Sequence, residues 1–78
     1  MYTDDEEKIF ETLNKILIRL CQEKTGKKLE ELPVSKSTKR YIKNGFKNCY
    51  LHNIWEIAEA IGMKCQEIMV IFEKEMEK

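Results

Sequence analysis

The 78-residue sequence predicts an all-α fold: a small orthogonal bundle of about five helices, one of them very short. Three observations predict it. Apolar residues recur at i, i+3, i+4 and i+7 through most of the chain, whereas no stretch alternates with the period of two of a half-buried strand. The single proline and the three glycines fall between the periodic stretches, where a helix would start or stop. The length holds one hydrophobic core, so residues 1–78 are expected to form a single domain that buries only ~60–65% of its unfolded surface.

The first helix is predicted from about Asp4 to Lys24, on the spacing of Ile9, Leu13, Ile16, Leu17, Leu20 and Cys21. Thr3 and Glu6 have capping-box spacing, the early acids suit the positive end of the helix dipole, and Gly26 supplies a stop. A short turn follows, about Lys28 to Leu32, and must end at Pro33, which cannot donate a helical hydrogen bond. The third segment spans Val34 to Asn44, with Ser35 as N-cap and Gly45 as the residue past the end. Val34, Thr38, Tyr41, Ile42 and Gly45 form one stripe on it, and Lys36, Lys39, Arg40 and Lys43 form the opposite one. After a loop at Phe46–Cys49, Tyr50 to Ile61 is predicted helical with Leu51, Ile54, Ile57, Ala58 and Ile61 inward, stopped by Gly62. The last helix covers about Cys65 to Glu77.

Fourteen basic and fourteen acidic residues give a formal net charge of zero, which by itself argues against a partner held by bulk charge. The distribution reverses that. Residues 1–23 and 48–78 each carry three basic and six acidic residues, whereas 24–47 carry eight basic and two acidic. A lysine-rich stripe is ordinarily a solvated helix face of mixed sign. This one holds no acid between Ser35 and Cys49, and a concentrated positive helix face is the footprint of a surface that neutralises phosphates.

Leu29-Glu30-Glu31-Leu32, Val34-Ser35-Lys36-Ser37-Thr38, Ile42, Asn44-Gly45, Asn48, Leu51 and the run Ile54 to Met63 resemble the lambda-repressor-like, Cro/XRE-type helix-turn-helix domain over about Leu13 to Met69. The resemblance implies a sequence-specific double-stranded DNA-binding transcriptional regulator of bacterial, phage or mobile-element type. Its third helix, about Ser35–Asn44, would lie in the major groove. Carried over residue by residue, it makes Lys36, Ser37 and Arg40 base-facing candidates. Lys39, Lys43, Asn44 and Lys47 become backbone candidates, with Lys28 beside the short second helix.

The sequence departs from that pattern twice. The family has four more residues where only Pro33 separates Leu32 from Val34, and an apolar residue where Lys39 stands. A rotation of the third helix by roughly half a residue step, at ~100° per residue, accommodates the second. If the shortened connection re-seats the helix, the two departures are one event and the family's contact positions do not carry over one by one, but the basic stripe stays opposite the buried one. The missing turn also motivates an alternative from another class: a protein-interaction module on a degenerate helix-turn-helix fold, antitoxin-like or anti-repressor-like.

Cys21, Cys49 and Cys65 are expected to be reduced, packed thiols, and Cys49-x-x-His52 with Cys65 falls short of the four converging ligands of a zinc site. No metal or other cofactor is expected. One histidine and no glycine-rich phosphate loop argue against an enzyme. The acidic start and the lack of a ~20-residue apolar run point to a cytoplasmic protein without a membrane partner. Surplus apolar residues on the last helix fit either a homodimer through Ile68, Met69, Ile71 and Phe72 or simple closure of the core. Trp55 is expected at the edge of the core, with an interface contact as the alternative.

Overall fold

The computed structural model describes residues 4–78. Among them are four α-helices and no strand: α1 (Asp4–Thr25), α2 (Lys36–Lys43), α3 (Leu51–Ile61) and α4 (Cys65–Met76). A single 3₁₀ turn, Leu29–Glu31, joins α1 to the α2 region. The five expected helices are therefore four α-helices and one 3₁₀ turn. The Thr3 cap lies outside the described residues.

Each boundary has a local cause. Gly62 ends α3 in the left-handed region at φ +77°, and the amides of Gly62 and Met63 return to the carbonyls of Glu59 and Ala58 at 3.2 and 2.9 Å. The same paired closure ends α2, with Gly45 N–H donating to the Ile42 carbonyl at 3.4 Å and Phe46 N–H to that of Tyr41 at 2.8 Å. At their N-termini, the 3₁₀ turn, α3 and α4 share one device. Glu31, Asn53 and Glu67 reach back three residues to accept from the amides of Lys28, Tyr50 and Lys64, each at 3.0 Å.

The core is built by α1, α3 and α4, with α1 against α4 as the most extensive contact. Leu17, Ile57, Ile68 and Phe46 are fully enclosed, together with Leu13, Ile16, Leu20 and Cys21 from α1. Burying each large apolar side chain of this kind contributes about 1.5–3 kcal/mol. Leu29 and Leu32 plug the core from the 3₁₀ turn. α2 sits to one side, packed chiefly on α3 and the 3₁₀ turn.

Three sequence expectations are corrected here. Leu51, expected inward, is 60% exposed, because it is the first residue of α3 and projects beyond the stripe formed by Ile54, Ile57, Ala58 and Ile61. Ile9 is 37% exposed, one turn before the α1 stripe enters the core at Leu13. Ile68, assigned to a homodimer interface, is 0% exposed and forms part of the core. Met69, Ile71 and Phe72 are half-buried against that core. No helix among the described residues is long and apolar enough to cross a membrane.

Candidate nucleic-acid interface

All eight residues singled out in the sequence lie on the surface: Lys28, Lys36, Ser37, Lys39, Arg40, Lys43, Asn44 and Lys47 are exposed. The orientation of α2 that exposes Lys36, Ser37, Lys39, Arg40 and Lys43 buries Thr38 completely and Ile42 nearly so, with Tyr41 half-buried. The two opposed stripes are thus realised: Thr38, Tyr41 and Ile42 turn inward, and the four cations face outward. None of these four cations is ion-paired among the described residues.

A helix of eight residues cannot hold itself together in water. This one carries an added load. Lys36–Lys39, Lys36–Arg40, Lys39–Lys43 and Arg40–Lys43 are like-charge neighbours at i+3 or i+4, costing together about 1–2 kcal/mol. Arg40 and Lys43 suit the negative end of the helix dipole, but Lys36 and Lys39 oppose its positive end, and the first turn contains no acid.

The missing acid comes from another helix. Glu56 on α3 accepts from the Ser35 backbone N–H, from Ser35 Oγ at 3.1 Å and from Thr38 Oγ1 at 2.9 Å. Ser35 itself is the N-cap, its Oγ accepting from Thr38 N–H at 3.3 Å. Asn53, fully buried, donates from Nδ2 to Thr38 Oγ1 at 3.0 Å while its Oδ1 caps α3 at Tyr50. The proton count closes: the Thr38 hydroxyl donates to Glu56 and accepts from Asn53, and no buried side-chain polar atom among the described residues lacks a partner. The Ser35 N–H is the largest influence holding the Glu56 carboxyl below its ordinary value of 4.5. The Thr38 and Ser35 hydroxyls and the nearby His52 add to it, against an opposing push from partial burial.

Two pairs of polar residues, each three apart, therefore meet across the α2–α3 contact: Ser35 and Thr38 from one helix, Asn53 and Glu56 from the other. Sequence reasoning placed Thr38 in the buried stripe but missed Asn53 and Glu56. Their signal was present, since both fall on one flank of an otherwise apolar stripe with the i, i+3 spacing of a shared helix face.

The chain matches no family model, no curated protein and no solved structure.

The basic residues are not equivalent. Lys47, beyond the α2 terminus, borders a shallow pocket shared with Glu7, Glu11 and Asn14 of α1, so acids stand near it. Lys28 lines another hollow with Ile18 and Gln22 of α1, Glu30 and Ile42. The α2 cations line neither pocket. Phe46 is fully enclosed and closes the core beneath its loop, whereas Tyr50 is 62% exposed. The Tyr50 ring stacks on His52 at 5.7 Å and meets Tyr41 edge-on at 6.3 Å, which walls the flank of α2 with aromatic rings. On a separate surface, an open cleft of about 620 Å³ runs between α3 and the start of α4, lined by Leu51, Trp55, Met63, Cys65 and Met69 among others. Trp55 is 54% exposed, and its indole N–H donates to Glu59 at 2.8 Å. Among the described residues no three His, Cys, Asp or Glu side chains converge to hold a metal ion.

Proposed function

We propose that this chain is a sequence-specific double-stranded DNA-binding regulator that presents α2 to the major groove. One observation carries the proposal: Lys36, Lys39, Arg40 and Lys43 occupy the outward face of a helix that packs chiefly on α3 and the 3₁₀ turn. At 1.5 Å per residue, eight residues make a rod about 12 Å long, comparable with the ~12 Å width of the major groove. The resemblance to lambda-repressor-like domains supports the same reading, and that helix arrangement is part of the proposal. Lys36, Ser37 and Arg40 face base edges, and Lys39, Lys43, Asn44 and Lys47 face the phosphate backbone, with Lys28 at the periphery.

The test is duplex binding by the wild-type protein and by the triple variant Lys36→Glu, Arg40→Glu, Lys43→Glu. Binding to a selected duplex, steeply weakened by salt and lost in the variant while its helical content and melting remain, supports the proposal. Retained binding in the triple variant overturns it.

The connection favours a second reading. Only Leu32, Pro33, Val34 and Ser35 separate the 3₁₀ turn from α2, too few to hold the longer turn of the lambda-repressor-like pattern. A protein-interaction module would offer the same basic face to an acidic protein surface, and it predicts no selection of duplex sequence at ~0.15 M salt.

A further inference from the structure

We propose that Glu56 is the positioning residue for the basic helix: an α3 carboxylate caps α2 and holds its cations in one orientation, without itself contacting the partner. This rests on the reading of α2 as the recognition face.

Three features of the structure converge on it. First, α2 is short, self-repelling and lacks an acid in its first turn, so its own sequence does not stabilise it. Second, Glu56 meets the helix where an anion is most effective, at the Ser35 amide and both hydroxyls of the first turn. Third, Asn53 ties the same Thr38 hydroxyl to the start of α3, so the cap of one helix and the cap of the other are a single hydrogen-bonded unit. The basic face is thereby fixed at its N-terminal end by α3 and at its C-terminal end by the Gly45–Phe46 closure. The Ser35 and Thr38 amides at the start of α2 are thus already engaged within the protein.

The sign of the mutational effect separates positioning from simple charge. Removing an acid beside a phosphate-binding face should strengthen binding if Glu56 acts only through its charge. Removing a positioning contact should weaken it.

The experiment measures residue-resolved amide hydrogen exchange and duplex affinity for the wild type, Glu56→Ala and Glu56→Gln. The expected result is exchange about tenfold faster at the Lys39–Asn44 amides in Glu56→Ala, with α1 and α4 protection unchanged. Glu56→Gln, which keeps one acceptor oxygen and the side-chain volume, should show the same pattern more weakly, and it serves if the alanine variant does not fold. Duplex affinity should fall about tenfold in Glu56→Ala. Unchanged α2 exchange, or equal acceleration in every helix, overturns the proposal, as does tighter duplex binding by Glu56→Ala. If the wild type binds no duplex, the exchange arm still decides the positioning role while the functional reading alone falls.

Discussion

Thr38 Oγ1 donates to Glu56 Oε2 at 2.9 Å, and this bond joins a fully buried hydroxyl on the basic helix to a carboxylate on its neighbour. A buried hydroxyl is costly unless partnered, and here every partner is supplied by α3 or by the cap residue Ser35. The contact between α2 and α3 is therefore specified by polar geometry as well as by apolar area, which makes it sensitive to single-atom changes.

Thr38→Val tests that sensitivity. Valine keeps the shape but removes the hydroxyl, leaving Asn53 Nδ2 buried without an acceptor and Glu56 with one donor fewer. The expected loss is about 1–3 kcal/mol. For a domain of this size that corresponds to a drop in Tm of about 4–8 °C per kcal/mol. Thr38→Ser keeps the hydroxyl and should lose only about 0.8 kcal/mol for the methyl group. Chemical denaturation of both variants beside Glu56→Gln checks it. The Thr38→Val, Glu56→Gln double variant should show about 0.5 kcal/mol or more of coupling.

Acidification should release the same contact. The Glu56 carboxyl titrates below its ordinary value of 4.5 in the folded protein, so the folded state binds that proton less readily than the unfolded chain. Its stabilisation is complete above about pH 4.5 and is lost as the pH falls through the lowered folded value. The stability difference between the wild type and Glu56→Gln should be flat above that pH and shrink below it. Glu75 is also lowered, by Lys78 and then Arg19, but it is present in both proteins and cancels in the difference. Thermal melts of the pair across the acid range measure it, and a difference that grows on acidification would contradict the assignment.

Two neighbours on α4 should behave oppositely. Ile68 is fully enclosed and Val70 is 51% exposed. Ile68→Ala should cost about 2–5 kcal/mol through the cavity it leaves. Val70→Ala should stay within about 0.5 kcal/mol. Urea denaturation separates the two, and a small Ile68 effect would contradict its place in the core.

The helices were legible because their apolar spacing and their stops coincide: Gly26, Gly45 and Gly62 each follow the last turn of a helix and each adopts positive φ. The basic face was legible for the same reason, since the stripe opposite Thr38 and Ile42 has to be solvated. What the linear pattern hides is partnership between helices. Asn53 and Glu56 look like ordinary polar positions on α3 until α2 is laid against them, and Ile68 looks like surplus apolar surface until the core closes over it. Periodicity assigns a residue to a face but leaves open what that face meets. The 3₁₀ turn is the intermediate case: Pro33 dictates where it ends, while Glu31 bonding to the Lys28 amide makes so short a segment regular.

The salt dependence of the proposed duplex binding should rank the cations by their surroundings. Each cation that neutralises a phosphate contributes ~0.9 to the slope of log K against log salt. Lys43 stands on the outward face of α2 without an acid partner, so Lys43→Ala should reduce the slope by about that amount. Lys47 borders Glu7 and Glu11, which offset part of its charge, so Lys47→Ala should reduce it less. Lys74 lies in the last turn of α4, off the proposed face, so Lys74→Ala should leave the slope unchanged. Binding isotherms for the three variants at several salt concentrations give the order directly. Equal reductions in all three would mean that the duplex responds to total charge, and α2 would lose its claim to be the interface.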